Sequence, residues 1–350
     1  MRILYGVQGT GNGHITRARV MSAALARAGV EVDYLFSGRE PERFFNMEPF
    51  GDYRVRRGLT FFTAAGKVQL GRTLFGNSLL RLWRDARSLA LDGYDLVLTD
   101  FEPVTAWAAR LKRVPSVGIA HQYAFRYRVP GSSSAPWLKP ALGLMAPVDQ
   151  AIGVHWDPFD APILPPLIEP PAYPLTTTPG EVLVYLPFES LDRIRETLLG
   201  FPDHRFLIYA AIKEQRVERN LVLKPFARDG FQRDLARCDG VIANAGFGLC
   251  SEAIQAGKKL LVKPLANQVE QSANAQALGE LGRAAIMSGL DVDAIADWLR
   301  RPNPEPRPWP DTASALVEWL LDGRRESPAA LSQRVWAEPP LSGKTVVVPS

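Results

Sequence analysis

Only two cysteines occur in 350 residues, Cys238 and Cys250, and neither has a histidine cluster near it. That excludes a disulfide framework and a zinc site, leaving both thiols as buried filler. No run approaches the roughly 18 to 20 consecutive apolar residues that would span a bilayer. There is no GxSxG elbow, no HExxH pair and no Walker loop, so three common hydrolytic and nucleotide chemistries have no seat here. Aromatic-rich RNA-binding signatures are also missing, which leaves nucleic acid without support as a partner. The opening "RILYGV" is strand-like and carries no small-residue cleavage site, so no signal peptide is read and the expected location is cytoplasmic.

What is present is an ordinary globular composition, 46% hydrophobic and 22% charged, on a chain long enough for two cores. The charge is unevenly spread. Residues 1–155 hold 20 Lys and Arg against 12 Asp and Glu, and the remainder 21 against 25. A basic first half suits anionic lipid or a phosphorylated acceptor. Apolar runs such as "YDLVLTD", "VPSVGIAH", "EVLVYLPF" and "GVIANAG" alternate with helical patterns, which predicts parallel sheets covered on both faces. Proline recurs through "DPFDAPILPPLIEPPAYPLTTTPG" too often for helix or central strand. The expected organisation is therefore a first domain over 1–156, a linker over 157–179, a second domain over 180–325 and a tail over 326–350. Residues 53–90 mix apolar side chains with Arg56, Arg57, Arg81, Arg84 and Arg87. Such a segment can lie on an anionic membrane surface, making the protein peripheral, or be a core-facing helix with a solvated basic side.

Two stretches carry chemistry. "GVQGTGNGHITRAR" follows a strand and opens a helix, so backbone amides and the helix dipole can face an anion or polar substrate. Gly9, Gly11 and Gly13 depart from the dinucleotide fingerprint by placing His14 near the usual third glycine. An NAD dehydrogenase leaves that histidine unexplained. Under the helix dipole it suits a general base, or else it caps the helix. Asp100 ends a strand in "LVLTDFEP" and can converge on it, fixing its tautomer, unless it merely caps the next helix. His121 and Gln122 reach the same edge, and Gly11, Gly13 and Arg17 complete the expected acceptor cleft.

The second stretch is "CDGVIANAGFGLCSEAIQAGKKLLVKPLANQVEQSANAQALGELG". A strand ends at Asn244, the chain turns through Gly246, Phe247 and Gly248, and a helix carries Glu252. Free amides at that turn suit a diphosphate, and the carboxylate suits two ribose hydroxyls. Asn267, Gln268, Glu270 and Gln271 follow the next strand, where amides can both donate to and accept from sugar hydroxyls. Asp291 and Asp293 form a DxD read as helix capping.

Residues 239–282 resemble the donor-binding signature of GT-B glycosyltransferases, especially those similar to the peptidoglycan N-acetylglucosaminyltransferase. "GTGNGHITR" is similar to the GxGxGHxxR variant of their first loop. The resemblance implies an α/β fold of two Rossmann-like domains whose parallel sheets face across a cleft. It implies an inverting, metal-independent transfer, with no cofactor, from a nucleotide diphosphate sugar, expected to be a UDP-sugar, to a hydroxyl acceptor, lipid-linked or anionic. By the same resemblance Gly246, Phe247 and Gly248 hold the diphosphate with Asn244 beside them, and Glu252 the ribose. Glu270 and Gln271 hold the donor sugar, and His14 with Asp100 activates the acceptor. The chain departs from the family pattern at Asn244, Leu249 and Lys259, where His, Ser or Thr, and Pro are frequent. A sugar-nucleotide epimerase and a non-catalytic sugar-nucleotide-binding protein are the alternatives.

Overall fold

The computed structural model describes residues 1–44, 46–59, 63–64, 67–68, 78–132 and 138–340. The chain divides into two compact units, each built on a seven-stranded sheet.

In the first unit β1 (Arg2–Gln8), β2 (Glu31–Ser37), β3 (Tyr53–Arg56), β4 (Leu96–Asp100), β5 (Ser116–Ala120), β6 (Gln150–Val154) and β7 (Ile163–Leu164) lie in the order β3-β2-β1-β4-β5-β6-β7, with every pairing parallel. The inner strands β4 and β5 are buried at every residue, which is why they read as continuous apolar runs. Helices α1 (Asn12–Arg27), α2 (Leu79–Ser88), α3 (Pro103–Lys112) and α4 (Leu138–Met145) connect strands of this sheet. One core cluster joins Leu4, Leu35 and Val97 of the sheet to Leu82 and Ala86 of α2 and Val104 and Ala108 of α3. The register sets Val7 beside Asp100, so the carboxyl ends of β1 and β4 are neighbours.

The second unit orders β10 (Arg216–Glu218), β11 (Leu221–Pro225), β9 (Arg205–Ala210), β8 (Glu181–Tyr185), β12 (Gly240–Ala243), β13 (Lys259–Val262) and β14 (Ala285–Ile286) across its sheet. Only the β10–β11 pairing is antiparallel. Its helices are α5 (Leu191–Leu198), α6 (Arg228–Arg237), α7 (Phe247–Gln255), α8 (Val269–Glu280) and α9 (Val292–Leu299). Val182, Val184, Phe206, Ile208, Ile242 and Leu261 of the sheet pack with Ile295 and Trp298 of α9.

Three features differ from the sequence expectation. Residues 163–168 of the proline-rich linker are buried in the first unit, with Ile163 forming β7, because proline bars helix but not a short edge strand. The division falls at Ile168 and Glu169. Residues 309–339 group with the first unit rather than extending the second. There α10 (Thr312–Leu321) packs on α1, while Ser332 Oγ and Trp336 Nε1 of α11 (Pro328–Ala337) donate to Ile163 O at 2.7 Å each. Within the basic segment 53–90, Tyr53–Arg56 is a strand and Leu79–Ser88 a helix. Phe61, Phe62, Arg72, Leu74 and Phe75 lie outside the described residues.

Candidate functional site

The turn between β1 and α1 is shaped by close approach at one glycine and by open space at two others. A Cβ on Gly9 would sit 2.7 Å from the Phe44 ring and 2.8 Å from Ser37 O. Packing therefore demands glycine there. Gly11 and Gly13 are different: a Cβ on Gly13 would meet nothing within 4 Å, and one on Gly11 only His14 Cδ2 at 3.9 Å. Neither has a left-handed backbone. Internal packing does not need these two glycines.

His14 stands in the first turn of α1, with Nδ1 2.7 Å from Asp100 Oδ1. Arg17, one turn on, donates from Nε to Asp100 Oδ2 and from Nη2 to Oδ1, both at 2.6 Å. This is a bidentate fork closed on a carboxylate with no exposed surface. Burial alone would raise the Asp100 pKa, but the Arg17 guanidinium and then His14 outweigh it and hold the carboxyl below its ordinary value. An ionised Asp100 can only accept, so His14 Nδ1 carries the hydrogen. Arg17 Nη2, 3.0 Å from Nδ1, is a second donor to the same oxygen and not a partner of the ring. The lone pair then sits on Nε2, where the Gln122 amide lies 3.4 Å away. With its side chain 13% exposed, His14 is held rigidly yet open to a ligand.

The capping reading of Asp100 does not apply. Glu102 takes that place on α3: its Oε1 accepts from Val104 N at 2.9 Å and its Oε2 from Thr105 N at 2.7 Å. Ser37 Oγ and Thr105 Oγ1 donate to it as well, leaving Asp100 to His14 and Arg17. His121 is buried, with Nδ1 2.9 Å from Val154 O and its ring against Phe125, His155 and Trp156. Of the expected cleft residues, Arg17 and Gln122 lie against His14.

In the second unit β12 ends at Ala243, and Gly246 caps α7 with φ −77°, ψ 134° and open space where a Cβ would be. Its amide-bearing turn thus stays unobstructed without any strain that would call for glycine. Asn244 is buried, donating Nδ2 to Lys263 O at 2.9 Å while Oδ1 has no partner among the described residues. Glu252, in the second turn of the helix, accepts from Gln232 Nε2 at 3.0 Å, and burial pushes its pKa up to about 7. It lines a small hollow with Glu169, Pro171, Gln232 and Gln255. Gln232 was not singled out from the sequence, since a lone glutamine on α6 gives no signal of its own.

Beyond β13 the amides serve the backbone first. Gln268 Oε1 caps α8 by accepting from Gln271 N at 2.6 Å, Gln271 Oε1 accepts from Leu265 N at 2.9 Å, and Asn274 Nδ2 donates to Ala245 O at 2.9 Å. These bonds tie the loop after β13 to the turn after β12. Glu270 stands half-buried in the first turn of α8, and Asn267 is exposed with φ 63°. The family departure at Lys259 is structural, its ammonium meeting Leu299 O at 2.8 Å and Asp239 at 3.0 Å. Asp291 caps α9 by accepting from Asp293 N at 2.9 Å and Ala294 N at 3.2 Å. Among the described residues no group of three or more His, Cys, Asp or Glu side chains could hold a metal ion.

A family model described as glycosyl transferase family 1 matches residues 1–133 and 159–302. Solved structures share the architecture at low identity. The MurG of Acinetobacter baumannii is 17% identical with a TM-score of 0.55, covering 92% of this chain and 99% of that one. The glycosyltransferase SnogD from Streptomyces nogalater is 16% identical with a TM-score of 0.52, over 96% and 99% of the two chains. Arabidopsis thaliana UGT89C1 complexed with UDP is 15% identical with a TM-score of 0.56, over 96% and 98%. No curated protein matches the chain.

Proposed function

The chain belongs to glycosyl transferase family 1, and from that premise we propose that it moves a sugar from a UDP-sugar to a hydroxyl acceptor with inversion at the anomeric carbon and without a metal. The observation that carries the mechanism is the chain Arg17–Asp100–His14, which leaves the lone pair on Nε2. Nε2 takes the acceptor hydroxyl proton as the oxygen attacks the anomeric carbon opposite the diphosphate. The bond from that carbon to the diphosphate oxygen breaks, and the electron pair leaves with the diphosphate. One displacement inverts the centre. Asp100 stabilises the imidazolium formed at His14. Amides at the start of α7 would receive the leaving charge, which is how a transferase of this kind dispenses with a metal ion.

Glu252 and the turn at Gly246 support a nucleoside diphosphate on the second unit, and UDP is favoured because a structural neighbour is recorded with it. Asn267, Gln268, Glu270 and Gln271 stand as the donor-sugar residues, with Gln268 and Gln271 acting through the loop they brace. On α2, Leu79, Leu80 and Trp83 are exposed beside exposed Arg81, Arg84 and Arg87. That face supports peripheral contact with an anionic bilayer and hence a lipid-linked acceptor. No helix among the described residues is long and apolar enough to cross a membrane.

A thermal-shift panel of nucleotide sugars tests the donor, since a ligand that binds only the folded chain raises its melting temperature. UDP-sugars should raise it, and no response to any nucleotide sugar would contradict the reading.

A further inference from the structure

A lysine outside every expected site stands beside the proposed diphosphate turn. Lys263 is the first residue after β13, and its Nζ lies 2.6 Å from Glu189 Oε1. Both side chains are only 11% exposed. Glu189 follows β8, and β8 and β13 flank β12 on opposite sides. Neighbouring strands are about 4.8 Å apart, so an ion pair joining the ends of β8 and β13 must span roughly 10 Å across the end of β12. That end is where the chain enters the turn through Asn244 to Gly246.

The backbone fixes this placement. Lys263 N donates to Ala243 O at 2.9 Å, Asn244 Nδ2 donates to Lys263 O at 2.9 Å, and Asn244 N reaches Tyr185 O at 3.4 Å. The same spot holds the buried Asn244 Oδ1, which lacks a partner among the described residues, together with the open space at Gly246. Leaving a buried acceptor unpaired is unfavourable. A bound molecule carrying hydroxyl or amide donors would satisfy it.

We propose that Lys263 is the cation that binds the diphosphate of the donor, and that Glu189 holds its ammonium in place across the mouth of β12 until the phosphates arrive. This rests on the donor reading above. Amides at a helix start supply only partial charge, about half a unit for the whole helix end. A full positive charge beside them lets the site distinguish a diphosphate from a nucleoside and neutralise the leaving group. Glu189 lowers the cost of keeping that charge nearly buried while the site is empty. It also competes with the incoming phosphates for the ammonium.

Calorimetric titration of the full chain with UDP, GDP, CDP, ADP and dTDP, each beside its nucleoside, tests the assignment. Lys263→Met should weaken the best-bound diphosphate about tenfold or more, the value of one bond to a charged group, and leave the nucleoside unchanged. Lys263→Arg should recover most of the loss, and Glu189→Gln should tighten the diphosphate by freeing the ammonium. Equal diphosphate binding by Lys263→Met and the native chain, or equal losses for diphosphate and nucleoside, would overturn the role of Lys263 alone. If the native chain binds none of the five, the donor reading falls and this assignment with it. Should Lys263→Met fail to fold, the near-isosteric Glu189→Gln decides: unchanged or weaker diphosphate binding overturns the proposal.

Discussion

His14 and Asp100 were legible as a pair because each ends or follows a parallel strand, and such ends gather on one edge of a sheet. Arg17 was legible as a residue of the expected acceptor cleft. Its fork on Asp100 depends on side-chain directions one helical turn apart, which spacing alone does not give. Glu102 as the cap of α3 and Glu189 as the partner of Lys263 were hidden for the same reason. Asp100→Asn keeps the shape but leaves Arg17, 5% exposed, without its counter-charge, which costs about 3 to 5 kcal/mol. Chemical denaturation should record that loss, and a change below 1 kcal/mol would contradict the buried fork. Glu252 offers a test with pH. Its carboxyl is raised from 4.5 to about 7 in the folded chain. Between those values the folded state holds a proton that the unfolded chain releases, so this residue's contribution is full below about pH 4.5 and is lost as pH climbs through 7. Glu252→Gln cannot ionise, and its melting temperature should therefore gain on the native chain between pH 5 and pH 8. A gap that stays constant or narrows would contradict the raised value.

At the level of elements, the buried inner strands announced themselves by unbroken apolar runs, whereas three of the short edge strands did not. Tyr53–Arg56 alternates arginine with Tyr and Val, Arg216–Glu218 is mostly charged, and Ile163–Leu164 is two residues among prolines. Their places come from a neighbouring strand and leave little local trace. Helix α2 was legible as amphipathic, but its use was not. Leu82 and Ala86 face the core, so the helix has an ordinary buried side, while Leu79 at 72% and Leu80 at 81% exposure remain outside it. Leu80→Asp with Trp83→Asp should abolish co-sedimentation with vesicles rich in phosphatidylglycerol and leave the melting temperature within a few degrees. Equal sedimentation of the native and doubly substituted chains would remove α2 as the contact.

Over the whole molecule, α/β organisation in two halves followed from strand and helix alternation, and the donor signature pointed to GT-B glycosyltransferases, the fold of the structural neighbours. The return of residues 309–339 to the first unit was not legible, because it depends on α10 finding α1 and α11 finding β7 across some 170 to 290 residues. The proposed transfer rests on His14 acting as the base. Hydrolysis of the donor is the side reaction that competes with transfer, so the base can be assayed with the donor alone. The decisive measurement is UDP release from the best-binding UDP-sugar by the native chain and by His14→Ala, with donor affinity measured on both. The account expects release to fall about 10²- to 10⁴-fold at unchanged affinity. Equal release by the two proteins would contradict it.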